Sequence, residues 1–119
     1  MKKIMLVDDA EIANFITASL IGHINPQYPV YNFTEPVVAL TNLDAIAPDV
    51  IFLDLNMPVM DGWEFLEKLE EKGLQHKVYI LTSSTSKFDR QRATNFANVE
   101  EYLVKPINKD KLSQILQQL

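Results

Sequence analysis

Val50-Ile51-Phe52-Leu53-Asp54-Leu55-Asn56-Met57-Pro58 is the stretch that decides how this chain folds. Its first four residues are apolar, include two β-branched side chains and an aromatic, and stop at a carboxylate. A short apolar run without polar alternation reads as a strand covered on both faces, as in a parallel sheet. The pattern recurs upstream in Ile4-Met5-Leu6-Val7, which ends at Asp8-Asp9, and downstream in Val78-Tyr79-Ile80-Leu81, which ends at Thr82-Ser83-Ser84. Two weaker runs complete the set: Val30-Tyr31-Asn32-Phe33, and Tyr102-Leu103-Val104 before Lys105-Pro106.

Longer amphipathic stretches separate the runs. Ile12, Phe15, Ile16 and Leu20 share one face of the first helical period. Val37, Val38, Leu40 and Leu43 mark the second, with Pro36 suited to its first turn. Phe65, Leu66 and Leu69 mark the third, which ends at Lys72-Gly73. The fourth, around Lys87–Phe96, is polar. Leu112, Ile115, Leu116 and Leu119 mark the fifth, behind Asn108 as N-cap. Strands alternating with helices predict an α/β protein, a doubly wound (βα)5 unit with a five-stranded parallel sheet. With five strands, the flavodoxin-like order 2-1-3-4-5 is the leading topology.

Composition bounds the function. The chain has 119 residues and 47% hydrophobic content, one domain with enough material for a core. It has no cysteine, which excludes disulfides, thiol chemistry and Cys-ligated metals. Eleven basic and sixteen acidic residues leave a net charge of −5, a poor balance for neutralising nucleic-acid phosphates or meeting an anionic membrane. No apolar run exceeds four residues, against about 20 for a membrane span and about 7 for the shortest signal-peptide core. A cytoplasmic location is expected. His23 and His76 lie far apart in sequence and are expected at the surface.

In a doubly wound sheet, sites form beyond the carboxyl ends of the strands, where the strand order reverses. The residues leaving the strands there are Asp8-Asp9, Asp54, Thr82-Ser83-Ser84 and Lys105. Each has an ordinary reading alone: a helix N-cap for Asp8 or Asp9, a loop hydroxyl for Thr82, a solvated lysine for Lys105. Together, three carboxylates in one crevice repel one another unless a cation sits among them. Hard oxygen ligands with room for water and a phosphate suit Mg2+, and nothing nearby favours zinc or copper. A carboxylate, Mg2+ and an ammonium around one point describe phosphoryl transfer, with Asp54 on the middle strand as nucleophile. No glycine-rich cradle for a nucleotide is present, so the phosphoryl donor is external and either small or protein-bound.

The run Asp54-Leu55-Asn56-Met57-Pro58-Val59-Met60-Asp61-Gly62, with Asp8-Asp9, Thr82-Ser83 and Tyr102-Leu103-Val104-Lys105-Pro106, resembles the receiver domain of bacterial two-component response regulators, in the single-domain, chemotaxis-like form. The resemblance covers essentially the whole chain, from Lys3 to the last helix, and implies one receiver domain over residues 1–119. It implies that Asp54 accepts a phosphoryl group from a phosphohistidine on a partner histidine kinase or histidine phosphotransfer protein. It implies Mg2+ on Asp9, Asp54 and the Asn56 carbonyl, with Asp8 holding the metal's waters. Thr82, Lys105 and the Ser83 amide would contact the phosphoryl oxygens, and Asn56 and Ser84 would tune hydrolysis. The Lys105–Pro106 bond is expected to be cis.

Tyr102 has two readings, a strand aromatic half-covering the last helix or, by resemblance, a switch aromatic that turns inward when Thr82 moves toward the phosphoryl group. The output surface is then the fifth strand with its flanking helices, acting on a protein target rather than DNA. The domain would be a monomer or a weak phosphorylation-dependent dimer. Trp63, Met57 and Met60 read as packing around the loop after the third strand. Asn98-Val99 stands where the family commonly has Gly-Ala. Asn98 is expected to take a left-handed turn, and Val99 is expected to crowd the switch. The hydroxyl-rich Ser83–Ser86 stretch suggests a mobile loop. The chain stops directly after its last helix, which favours a stand-alone regulator.

Three other functions compete. A haloacid-dehalogenase-type phosphatase wants an acid two residues after its nucleophile, where this chain has Asn56. A flavodoxin-like FMN protein wants a hydroxyl- and glycine-rich first loop, where Asp8-Asp9-Ala10-Glu11 would repel phosphate. A degenerate receiver used only for docking would not need all five key side chains.

Overall fold

A computed structural model describes residues 1–119. Its strands are β1 (Ile4–Val7), β2 (Val30–Phe33), β3 (Val50–Leu53), β4 (Lys77–Thr82) and β5 (Val99–Val104). They form one parallel sheet in the order β2-β1-β3-β4-β5, as the run pattern predicts. The helices are α1 (Glu11–Ile24), α2 (Pro36–Thr41), α3 (Leu43–Ile46), α4 (Gly62–Glu71), α5 (Lys87–Ala93) and α6 (Lys109–Gln117). There are six rather than five, because the second helical period breaks at Asn42. The Asn42 side-chain amide donates to the Val38 carbonyl at 2.8 Å, and its backbone leaves helical geometry at ψ 0°.

Side chains alternate across the pleat with period two, so each inner strand feeds two cores. Met5, Val7, Ile51, Leu53, Val78 and Ile80 face α2–α5 and pack with Leu43, Phe65, Leu66 and Leu69. Ile4, Leu6, Val50, Phe52, Tyr79 and Leu81 face α1 and α6 and pack with Ile21, Leu112, Ile115 and Leu116. Every residue of β1 and β3 is buried, which is why those runs carry no polar alternation. Met57 and Trp63 are buried and Met60 is half-buried against the first core, as expected for the loop after β3.

Four expectations are corrected by the packing. Ile12, Phe15 and Ile16 do share a face, but it points to solvent, with Ile12 and Phe15 at 75% and 70% exposure. The face of α1 on the sheet is instead Asn14, Thr17 and Ile21. Val37 and Val38 are likewise exposed, and α2 and α3 bury Pro36, Ala39 and Leu43. Asn98 takes no left-handed turn: among non-glycine residues only Ala47 and Val59 have positive φ. Its side-chain amide instead donates to the carbonyls of Leu74 and His76 at 2.9 Å each, tying β5 to the α4–β4 connection. His23 is exposed, but His76 is half-buried, with Nδ1 3.0 Å from the Pro48 carbonyl oxygen.

Candidate functional site

The ladder continues one residue beyond the strands, and this places the site. Asp8 N–H donates to the Phe33 carbonyl, Asp54 N–H to the Val7 carbonyl and Lys105 N–H to the Thr82 carbonyl, at 3.0, 3.0 and 2.8 Å. The register Val7↔Leu53 sets Asp8 and Asp54 level on adjacent strands. Carboxylate oxygens of Asp8, Asp9 and Asp54 lie within 4.8 Å of one another, so the three acids do converge. Asp8 and Asp54 are buried and Asp9 is exposed, giving a crevice closed at its base and open at its mouth.

Lys105 reaches into this cluster. Its Nζ lies 2.5 Å from Asp8 Oδ2 and 3.6 Å from Asp54 Oδ2, and the Lys105–Pro106 bond is cis. One ammonium thus already offsets part of the charge of two carboxylates. Asp54 remains the strained member: burial first, then the neighbouring Asp8, push its carboxyl above the ordinary carboxylate range. Lys105, the Thr82 hydroxyl and the Asn56 backbone N–H oppose that rise without cancelling it. Asp54 Oδ1 also accepts from the Leu55 N–H at 2.8 Å. A raised carboxyl among two further acids is a site with unmet demand for positive charge. Three hard oxygen donors within 4.8 Å, with an open mouth, fit a divalent cation of the Mg2+ kind.

The remaining predicted residues take definite places. Thr82 is fully buried at the end of β4, and its Oγ1 accepts from the Ser84 N–H at 3.3 Å. Ser83 and Asn56 are exposed at the rim, while Tyr102 and Ser84 are half-buried. The Tyr102 hydroxyl donates to the Ser84 carbonyl at 3.0 Å, and its ring packs against the first core. The Ser83–Ser86 stretch, expected to be mobile for its hydroxyls, has two of them engaged. Ser84 Oγ donates to Asp89 Oδ2 at 2.7 Å, and Ser86 Oγ caps α5 by accepting from the Asp89 N–H at 3.3 Å.

Two site residues escape the strand-end reading. The Asn14 amide donates to the carbonyls of Asp8 and Phe33 at 3.0 and 3.2 Å, satisfying acceptors where β1 and β2 end. Thr17, one helical turn further, lines a small void with Asp8 and Asp54. Their only sequence signal is polar residues at i and i+3 ahead of Ile21, opposite the apolar stripe. Gly62 is the backbone's counterpart. A Cβ there would stand 2.5 Å from the Asp54 carbonyl oxygen and 2.8 Å from Leu55 Cα, so α4 can approach the acidic strand end only with glycine.

Comparison with known proteins agrees with this geometry. A family model described as the response regulator receiver domain matches residues 4–117. The chain is 34% identical over 110 residues to the cyclic di-GMP phosphodiesterase response regulator RpfG of Xanthomonas campestris pv. campestris, covering 92% of this chain and 29% of that protein. It is 31% identical over 113 residues to the sensor histidine kinase RcsC of Salmonella typhi, covering 95% of this chain and 12% of that one. The chain therefore spans less than a third of either relative's length. The chemotaxis protein CheY4 of Vibrio cholerae superposes with a TM-score of 0.85 at 28% identity, over 99% of this chain and 98% of that one. A two-component response regulator from Cytophaga hutchinsonii superposes at 0.87 with 24% identity, over 99% and 96% of the two chains, a likeness of fold.

Proposed function

Because this chain belongs to the response regulator receiver family, the phosphoacceptor switches of two-component signalling, we propose that Asp54 is its phosphoacceptor and residues 1–119 its one receiver domain. The observation that carries the reading is the position of Asp54. It is a buried, charge-stressed carboxylate within 4.8 Å of two more acids and 3.6 Å from an ammonium. A receiver is a signalling switch rather than a classical enzyme, so its chemistry is one transfer and its reversal.

An Asp54 carboxylate oxygen attacks the phosphorus of a phosphohistidine. The P–N bond breaks, the imidazole nitrogen leaves with the electron pair and is protonated, and an aspartyl phosphate remains. Hydrolysis reverses the change, with water attacking phosphorus and the P–O bond to Asp54 breaking. Lys105 lies between Asp8 and Asp54, so its ammonium meets a phosphoryl oxygen with only a short swing away from Asp8. The Thr82 hydroxyl and the Ser83 N–H complete the donors to the phosphoryl group. Asn56 and Ser84 border the approach of the hydrolytic water. Asp9, Asp54 and the Asn56 carbonyl would hold Mg2+, with Asp8 holding its waters, and the ion would supply positive charge to the phosphoryl oxygens.

The donor is a histidine kinase or histidine phosphotransfer protein that must cover the crevice to reach Asp54. Ile12, Phe15 and Ile16 on α1 are exposed; Ile12 shares a surface cleft with Asp9, and Ile12, Phe15 and Thr34 line a neighbouring groove of about 520 Å³. We assign this apolar face to the phosphohistidine-bearing partner. The output face is β5 with α5 and α6, where Phe88 is 71% exposed, and its target is a protein rather than nucleic acid or membrane. The domain acts in the cytoplasm, as a monomer or a weak phosphorylation-dependent dimer; no helix is long and apolar enough to cross a membrane.

The test is incubation with Mg2+ and acetyl phosphate, followed by intact mass measurement. The expected result is a labile gain of one phosphoryl group that disappears in Asp54→Asn and without Mg2+. No adduct in the unaltered protein would overturn the reading, and steady turnover of phosphate esters would point to a phosphatase.

A further inference from the structure

We propose that Asp89 and Arg90, consecutive residues of the short helix α5, are positioning residues that hold Tyr102 inward before any phosphoryl group arrives. The inference rests on the reading of Tyr102 as the switch aromatic and adds the residues that set its resting position.

Ser84 is the junction. Its backbone N–H donates to Thr82 Oγ1 at 3.3 Å, its carbonyl accepts from the Tyr102 hydroxyl at 3.0 Å, and its own hydroxyl donates to Asp89 Oδ2 at 2.7 Å. Ser84 Oγ also accepts from the Ser86 N–H at 3.3 Å. In an ordinary capping box, the acid at the third helical position bonds the N-cap N–H directly. Here the Ser84 hydroxyl stands between the two, so Asp89 fastens Ser84 to the helix. The single hydroxyl proton of Ser84 is committed to Asp89, and the Ser84 carbonyl is thereby held where the Tyr102 hydroxyl finds it.

Arg90 acts on the other side of the same ring. Its guanidinium carbon lies 4.7 Å from the Tyr102 ring centroid, a cation–π contact. Tyr102 is therefore gripped twice, at its hydroxyl through Ser84 and at its face by Arg90. Two neighbouring helix residues do both, so the inward ring and the docked first turn of α5 stand or fall together. Little else holds this helix, since Ala93 is its only buried residue. The other cation–π contact of α5, Arg92 at 4.5 Å from the Trp63 ring centroid, touches neither Ser84 nor Tyr102 and serves as an internal control.

The experiment uses the full chain with ring-13C-labelled tyrosine, the Tyr102 signal being assigned among four tyrosines by its loss in Tyr102→Phe. In the unphosphorylated protein, the Tyr102 signal is expected near its position after Mg2+ and acetyl phosphate treatment. Arg90→Ala is expected to shift the inward-to-outward ratio by about two- to five-fold, the size of an exposed cation–π contact. Arg90→Lys should restore part of the ratio, because it keeps the charge but not the planar stacking group. Asp89→Ala should act in the same direction and Arg92→Ala should not. A solvent-exposed Tyr102 signal in the unphosphorylated protein would overturn the proposal, as would an equal response to Arg90→Ala and Arg92→Ala. Adduct formation is read by mass on the same samples. A missing adduct would count against Asp54 as phosphoacceptor, while the Arg90 response reads the resting ring independently.

Discussion

Helices α1 and α6 lie on the same face of the sheet and share one core, yet they meet it in opposite ways. α6 turns its apolar residues inward, burying Leu112, Ile115 and Leu116. α1 turns Asn14, Thr17 and Ile21 inward and leaves Ile12, Phe15 and Ile16 in solvent. Residues two apart on a helix sit about 200° apart, so choosing Asn14 for the sheet sends Ile12 and Ile16 nearly opposite. The reason lies at the strand ends. The Asp8 and Phe33 carbonyls next to the site need donors, and an unsatisfied buried carbonyl costs about 1–3 kcal/mol. An apolar inner face on α1 would leave the Asp8 carbonyl without its side-chain donor and the Phe33 carbonyl with the Asp8 N–H alone. α6 is oriented chiefly by burial of Leu112, Ile115 and Leu116, with the Lys111–Glu101 ion pair at 2.7 Å tying it to β5.

Substitutions on α1 and α6 separate the two modes of packing. The largest stability effect is expected on the α6 side. Leu112→Ala removes a fully buried side chain and should cost about 2–5 kcal/mol in denaturant unfolding, while the folded fraction still accepts phosphoryl from acetyl phosphate. Asn14→Leu makes the inner face of α1 resemble that of α6. It should destabilise by about 1–3 kcal/mol despite adding apolar surface, because the Asp8 carbonyl loses its donor, and a gain in stability would refute this.

The two ends should also differ in pH response. The Asp54 carboxyl is held high by burial and by Asp8. A carboxyl whose folded value exceeds its unfolded one supports folding while protonated, and that support fades as pH rises through the folded value. Without divalent cation, the unaltered protein should lose stability relative to Asp54→Asn as pH rises from about 4. Thermal midpoints in EDTA across that range are the measurement, with parallel curves as the contrary outcome. The smallest stability effect is on the outer face of α1. Ile12→Ser with Phe15→Ser should change stability by less than about 0.5 kcal/mol each, since both are exposed. The rate from a phosphohistidine donor should nevertheless fall at least roughly ten-fold, the equivalent of about 1.4 kcal/mol in a barrier, with the acetyl phosphate rate unchanged. Equal loss from both donors would remove this face from partner docking.

Much of the molecule was readable in the chain itself. The strand runs, their order, the Asn108 cap, the Lys72-Gly73 stop and the convergence of Asp8, Asp9 and Asp54 all follow from local pattern plus one rule of sheet topology. Where the reading fell short, the missing information was direction. Periodicity marks Ile12, Phe15 and Ile16 as one stripe but carries no sign for which way it points. Hydroxyls in Ser83–Ser86 look like a solvated loop until Asp89 and Tyr102 arrive from other elements to bond Ser84.

The sheet, its two apolar faces and the residue types at its carboxyl edge follow from the order of residues along the chain. Apolar runs and strand-end residues are local properties, and the period-two pleat turns them directly into positions. How the helices face that sheet and what holds Tyr102 follow from contacts made across the fold. Those choices depend on hydrogen bonds between residues 6 to 19 positions apart, such as Asn14 with Asp8 and Phe33, and Tyr102 with Ser84. Asp8 is only six residues from Asn14, but the sheet, not the helical period, turns its carbonyl toward α1.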